Sequence, residues 1–488
     1  MTTDEKLDFL KSLLPEKAEC IFAESVSDGF VRSDSGYLFS ELPPFYRIRF
    51  FARPVKGSDL RIEVWLPDNW NGRLVCTGSG GIGGFIATDA LARSVLSGYA
   101  VANTDLGTSS GITCGFDSDE PKIDYARRGT HQMALLAKQL VTDFYGKAPA
   151  YSYFIGASTG GMQAYMEAQR FPEDFDGIYA EVPSILNAAF HTNYLWAWRQ
   201  LHKEDGSVLF TPEERALIAG HACDFFRGQG DGEPGDPFVS YPYYGETTIP
   251  DFMAYLEKQP TGFTEEQLAR LRKIYEGPYD PKRDLQISCG MPIGSERYWD
   301  GYAGKDCPGI YPFVWAFGPT FDPLGFDFSD DFQIFNQKMS KYINATSPDL
   351  NAFHEKGGKM LTSVGTADPV VLYHELNIYY EKVTECCGGI DKTMDFFRFY
   401  DLPGRNHGHG FGADVISAEP KNSSGAFDAL VRWVEKGEAP YRLYAISEEN
   451  PDFKGKIAFA REIYPYGSPE FPFMPHQKTY SDKLKTIE

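Results

Sequence analysis

The chain has little that binds polyanions or crosses a bilayer. Lys and Arg number 47 against 68 Asp and Glu, a formal charge of −21, which excludes a nucleic-acid or anionic-membrane surface as its working face. No run approaches the roughly 18 uninterrupted apolar residues a membrane helix needs. The N-terminal residues MTTDEKLDFLKSLLPEKAEC lack a basic segment followed by an apolar one, so no secretory signal is expected there. None of the eight cysteines (Cys20, Cys76, Cys114, Cys223, Cys289, Cys307, Cys386 and Cys387) forms a Cys-x-x-Cys pair. No disulfide framework is compelled, and reduced thiols in the cytoplasm are the simpler expectation. Internal repeats and low-complexity runs are also missing. What the chain does have is length and apolar content: 488 residues, 42% hydrophobic, enough for a well-packed interior and too long for one simple core.

Short β-rich segments come first: FYRIRFFAR (45–53), RIEVWLP (61–67), GRLVCTG (72–78) and YAVANTDLG (99–107). The helical period of QMALLAKQLVTDFYG (132–146) ends at a glycine, the strand YSYFIG follows, then the helix GMQAYMEAQRFP and the strand GIYAEVPS (177–184). Strands alternating with helices predict a mostly parallel sheet covered on both faces. The alternation breaks between about Leu186 and Leu350, where aromatics, Gly and Pro dominate. It resumes in GKMLTSVGTADP (358–369), LNIYYEKVTE (376–385) and MDFFRFYDLPG (394–404), and GAFDALVRWVEKG (425–437) is a closing helix. The expectation is a discontinuous α/β core, residues 1–185 and 351–488, with residues 186–350 inserted as a lid domain.

Gly156-Ala157-Ser158-Thr159-Gly160 matches G-x-S-x-G, with a strand before it and a helix after it. A sharp strand-to-helix turn lifts a serine hydroxyl clear of the sheet, and small flanking residues permit the turn. The Thr159 amide then faces an oxyanion site at the helix N-terminus. A second donor is expected from CTGSGGIGG (76–84), at Gly80 or Gly81, between which the sequence does not choose. The competing reading is an ordinary glycine-rich turn with an inert serine.

The order nucleophile, acid, histidine directs attention to late residues. His407 and His409 lie in LPGRNHGHGFG, directly after the strand FFRFY. Asp368 ends the preceding strand in LTSVGTADPVV, and Asp401 is its rival. In this reading His407 takes the Ser158 proton and Asp368 fixes the imidazole tautomer. A His-x-His pair also suits a metal, but no third ligand stands nearby in the sequence, so no metal and no cofactor are expected.

At this point YSYFIGASTGGMQAYMEAQRFPEDFDGI, GTADP, PGRNHG and INATSPDLNAFHEKGGKM resemble the tannase and feruloyl esterase family over about residues 60–440. The resemblance implies an α/β-hydrolase core with a large inserted lid. It assigns Ser158 as nucleophile, Asp368 as acid and His407 as base; His409 matches no catalytic position. Three departures stand out. The family has cysteines, joined by a disulfide, directly before the serine and directly after the histidine, where this chain has Ala157 and Gly408. The family lid carries a calcium loop resembling C-D-x-x-D-G-x-x-D-G, which here reads CDFFRGQGDGE: Asp224 and Asp231 remain, but Arg227 replaces a carboxylate. Calcium wants six to eight oxygens, and a guanidinium placed there is expected to pair with both aspartates. Met162 and Glu181 replace an Arg and a Gly of the family pattern.

The resulting expectation is a serine carboxylic-ester hydrolase working through an acyl-enzyme, with a small-molecule ester as its partner and an aromatic, feruloyl- or galloyl-type acid as the implied substrate class. Among the lid aromatics Tyr298, Trp299, Tyr302, Tyr311, Trp315 and Phe317, the sequence offers Trp299, Tyr302, Trp315 and Phe317 as substrate contacts, against the alternative that they form the lid's own core. An acyltransferase, a lactone or non-aromatic ester hydrolase with the same triad, and a non-catalytic binding protein of the same fold are the other readings. The sequence leaves the oligomeric state open.

Overall fold

FYRIRFFA buries every second side chain, as a strand with one face on a core must. In the computed structural model it is strand β2 (Phe45–Ala52), preceded by β1 (Ala18–Val26). The structure describes residues 1–242, 247–408, 415–419, 422–448 and 457–474; His409 and His476 lie outside them. The chain divides into two units. The first comprises Met1–Pro183, Phe313–Thr320 and Leu350–Met360; the second comprises Ser184–Pro312, Phe321–Asp349 and Leu361–Glu488.

In the first unit β3 (Leu60–Pro67), β4 (Arg73–Thr77), β5 (Ala100–Thr104), β6 (Tyr151–Ala157) and β7 (Gly177–Glu181) join β1 and β2 in the order β1-β2-β3-β5-β4-β6-β7. The pairings from β1 through β2 and β3 to β5 are antiparallel. Those of β5, β6 and β7 through β4 and β6 are parallel. The β5 sequence AVANT is buried throughout, as a strand covered on both faces requires. Helix α1 (Gly129–Tyr145) follows a π-helical turn at Asp124–Arg128 and stops where Gly146 takes a left-handed cap, φ 68°. Helix α2 (Thr159–Arg170) leaves β6 directly.

The second unit contains α3 (Asn187–Leu201), α4 (Pro212–Arg227), α5 (Thr248–Leu256) and α6 (Glu265–Glu276). Thr211 caps α4 with Glu214 and Thr264 caps α6 with Gln267, each reciprocally. Leu201, Ile218, Phe226, Phe252, Leu271 and Trp299 belong to one buried cluster. Strand β8 (Lys359–Gly365) enters this unit at Leu361 and neighbours β9 (Phe397–Leu402). Helix α7 (Tyr373–Cys386) connects them. Beyond it, β10 (Val415–Glu419), β11 (Asn422–Gly425), β12 (Leu443–Glu448) and β13 (Ile457–Ile463) form a four-stranded antiparallel sheet in the order β11-β10-β12-β13. No helix among the described residues is long and apolar enough to cross a membrane.

The loop after α4 differs in detail from the expected pairing. Arg227 donates to Asp224 Oδ1 at 3.0 Å and to the Asp236 carbonyl at 2.9 Å, not to Asp231. Asp231 instead accepts the Ser240 and Tyr241 amides at 2.7 and 2.8 Å. A second guanidinium, Arg461, pairs with the Asp236 carboxylate.

Candidate active site

Ser158 sits at φ 58°, ψ −118°, between β6 and α2. A non-glycine residue there is strained by roughly 1–3 kcal/mol, and the surroundings must hold it. They do so from both sides: the Ser158 amide donates to the Glu181 carbonyl at 3.0 Å, and the Met162 amide bonds the Ser158 carbonyl at 3.1 Å. The turn is so tight that a Cβ on Gly156 would lie 2.1 Å from the Gly160 carbonyl oxygen, so glycine at 156 is a steric requirement. Thr159 opens α2, which leaves its amide without an acceptor inside the helix. The half-buried serine is thus presented beside a helix N-terminus.

The glycine loop after β4 is fixed in the same unit. Gly78 donates to the Ile155 carbonyl at 2.8 Å, and its Cα is so near Gly160 that an added Cβ would lie 2.6 Å from the Gly160 Cα. Gln163 of α2, fully buried, donates from Nε2 to the Ser79 carbonyl at 3.1 Å. Because the peptide is planar and trans, the Gly80 N–H on that same peptide points away from Gln163. Gly81 has φ 58°, and its carbonyl accepts the Tyr125 hydroxyl at 3.4 Å. A side chain at Gly80 or Gly81 would enter open space. Neither Gln163 nor Tyr125 was recognisable from sequence, since a helical Gln and a buried Tyr have no pattern that marks them.

In the second unit Asp368 and His407 meet: His407 Nδ1 lies 2.8 Å from Asp368 Oδ2. Asp368 is fully buried, and its other oxygen accepts the Val370 and Val371 amides at 2.7 and 3.0 Å. A carboxylate so satisfied stays an acceptor, which puts the imidazole proton on Nδ1 and the lone pair on Nε2. The two loops are stitched together by Ala367 N to Arg405 O (3.0 Å), Thr366 N to Leu402 O (3.0 Å) and Gly404 N to Thr366 Oγ1 (2.8 Å). Asp401, the rival acid, accepts from Asn377 Nδ2 at 3.0 Å, and burial pushes its carboxyl up to about 7.

The four aromatic candidates fall in different surroundings. Trp299 is fully buried in the second unit's cluster and donates to Ser295 Oγ at 3.0 Å, the core place that sequence had left as the alternative. Tyr302 stacks on Tyr194 with centroids 5.0 Å apart and donates to the Pro369 carbonyl at 2.9 Å, one residue from Asp368. Tyr194 was not singled out from sequence. In the first unit Trp315 donates to the Ile112 carbonyl at 2.8 Å and meets Tyr125 edge-on at 5.3 Å. Phe317 is half-buried. Ala157 and Gly408 are exposed, and all eight cysteines are free thiols.

The family model described as tannase and feruloyl esterase matches residues 48–305 and 316–483. A probable feruloyl esterase of Arthroderma benhamiae is 30% identical over 425 residues, 80% of this chain and 76% of the relative. Feruloyl esterase B of Aspergillus niger is 28% identical over 410 residues, covering 78% and 76%. The crystal structure of feruloyl esterase B from Aspergillus oryzae superposes with a TM-score of 0.82 at 21% identity, covering 99% of both chains. The chain therefore belongs to the tannase and feruloyl esterase family and is a carboxylic ester hydrolase of the α/β-hydrolase fold.

Proposed function

We propose that the protein is a serine esterase that hydrolyses esters of phenolic acids, with Ser158 as nucleophile, His407 as base and Asp368 as its orienting acid. The observation that carries this reading is the pair of prepared parts: a serine held in a strained turn and a histidine whose Nδ1 is committed to a fully satisfied buried aspartate. Ser158 Oγ attacks the ester carbonyl carbon while His407 Nε2 takes its proton. The oxyanion is received by the Thr159 amide and by Gly80, whose peptide Gln163 orients, rather than Gly81. Collapse expels the alcohol, which leaves with the proton from His407. Water then attacks the acyl-enzyme by the same route, frees the acid and restores Ser158.

Support for the aromatic acyl group comes from the relatives, which are named for feruloyl esters, and from Tyr302, Trp315 and Phe317, whose rings suit a phenolic face; Trp299 belongs to the core of the second unit. We assign residues 186–350 the role of lid, and we place the enzyme in the cytoplasm. Eight free thiols and the absence of both loop cysteines support that location.

A fluorophosphonate probe tests the central assignment. It is expected to label wild type at Ser158, found by peptide mass mapping, and to leave Ser158→Ala unlabelled. A panel of feruloyl, galloyl and acetyl p-nitrophenyl esters then ranks the acyl group. Labelling elsewhere, or full turnover by Ser158→Ala, sinks the assignment.

A further inference from the structure

Helix α2, which begins at the nucleophile, ends in a cluster that ester hydrolysis does not use. Glu167, near its C-terminus, is fully buried, and neither carboxylate oxygen has a hydrogen-bond partner. His131 of α1 and Asp174, in the turn after α2, stand with it: the three residues' ligand atoms all lie within 4.8 Å of one another. His131 Nδ1 is 2.6 Å from Asp174 Oδ2, and its ring stacks on Phe171 at 3.9 Å. The His131 side chain is 25% exposed, so one edge of the cluster reaches solvent.

Two buried carboxylates this close, with no donor aimed at one of them, need a positive charge or a proton between them. Among the described residues no lysine or arginine forms an ion pair with Glu167 or Asp174. Lys138 acts on Glu167 only through space; its ammonium donates to the Glu173 carbonyl at 3.4 Å and lies 5.7 Å from the Phe175 ring centroid. We propose that His131, Glu167 and Asp174 bind a divalent transition-metal ion of the zinc class, which fastens the C-terminal end of α2 to α1.

The donor set argues for this class of ion. One imidazole and two carboxylates suit zinc and its first-row neighbours, whereas calcium takes oxygen ligands. The half-open His131 edge is the route of entry. No step of ester cleavage passes through the ion, and its effect is on how firmly the end of the nucleophile's helix is held.

Zinc alone is the probe. Full-length protein is stripped with dipicolinate, dialysed and titrated with Zn²⁺ by calorimetry in two buffers of different ionisation heat. Wild type is expected to take up one ion per chain and to gain several degrees in Tm at saturating zinc. His131→Ala and Glu167→Gln are expected to bind zinc roughly tenfold or more weakly and to lose the Tm gain. Bound cobalt is expected to show visible d–d bands in wild type alone. If wild type binds no more zinc than His131→Ala, or if Glu167→Gln binds as wild type does, the proposal fails and the pair simply shares a proton. Should Glu167→Gln not fold, His131→Ala, altered at a partly exposed position, decides the question by itself.

Discussion

Asp368 lies just beyond the end of β8 and Asp401 near the end of the neighbouring β9, and both are buried; their partners separate them. Asp368 receives two amides and the His407 imidazole, while Asp401 has the Asn377 amide and a carboxyl raised to about 7. Replacing Asp368 with Asn supplies a donor where an acceptor is needed and turns the histidine to the wrong tautomer, which in such triads costs about 10⁴ in kcat. Asp401→Asn is expected to leave kcat within about threefold of wild type, because Asp401 makes no contact with the histidine. Steady-state kinetics on one ester decide it, and the reverse ranking would make Asp401 the acid. Sequence singled out Asp368 and His407 because a strand end and a glycine-rich loop leave a visible signature, and the structure places the two side chains 2.8 Å apart. It had no means of finding Gln163 or Tyr194, whose roles depend on which way a helix faces. For the same reason aromatic content alone did not separate Trp299, a core residue, from Tyr302 beside the acid loop.

At the scale of elements, the loop after α4 is held by two ion pairs, Arg227 with Asp224 and Arg461 with Asp236. Arg461 and Asp236 have side chains 22% and 12% exposed, whereas Arg227 and Asp224 are 37% and 62% exposed. Exposed pairs contribute under about 1 kcal/mol, and breaking a more buried one costs more. Arg461→Ala is therefore expected to lower stability by about 2 kcal/mol and Arg227→Ala by about 0.5–1 kcal/mol. Calcium added after chelation is expected to change neither activity nor Tm of wild type. Nor is millimolar calcium expected to rescue Arg227→Asp, since both Asp231 oxygens already accept backbone amides. Urea titrations with and without calcium check the stabilities and an activity assay the rest, and a calcium-dependent gain would show that the loop binds calcium after all. The replacement of a carboxylate by Arg227 was legible in the sequence; Arg461 was not, because it comes from β13, far along the chain. The sheet containing β13 was missed altogether, since its strands are short and only four to seven residues long. Strand β1 was missed too: only one of its nine residues is buried, which blurs the alternation that revealed β2.

Across the whole molecule, three fully buried carboxyls, Glu296, Glu375 and Asp401, are each raised to about 7, chiefly by loss of water. In the unfolded chain such groups titrate near about 4. Between those values the native state holds protons that the unfolded state has released, so their contribution is complete below about pH 4 and is lost as pH rises through 7. Stability is expected to fall from pH 5 to pH 8. Glu375→Gln keeps an acceptor for Ser288 Oγ and the Cys289 amide, which lie 2.6 and 2.8 Å from Oε1. It is expected to match wild type at pH 5 and to exceed it at pH 8 by on the order of 2 kcal/mol. Melting curves across that range check the sign; a variant parallel to wild type at every pH would show that Glu375 does not titrate. The sequence disclosed the α/β alternation because its period is local. It could not disclose these acids, since burial is a property of the assembled fold.

The free thiols have a consequence for handling the protein. Cys20 and Cys386 are exposed, while Cys76, Cys223, Cys289, Cys307 and Cys387 are buried. Burial holds the Cys20 thiol above its ordinary value and so blunts its reactivity, which leaves Cys386 the readier to oxidise in air. Slow covalent pairing of molecules on the shelf would begin there, at the exposed end of the mostly buried helix α7. A reductant in the storage buffer protects against that cross-linking, and a serine at position 386 would do the same without an additive.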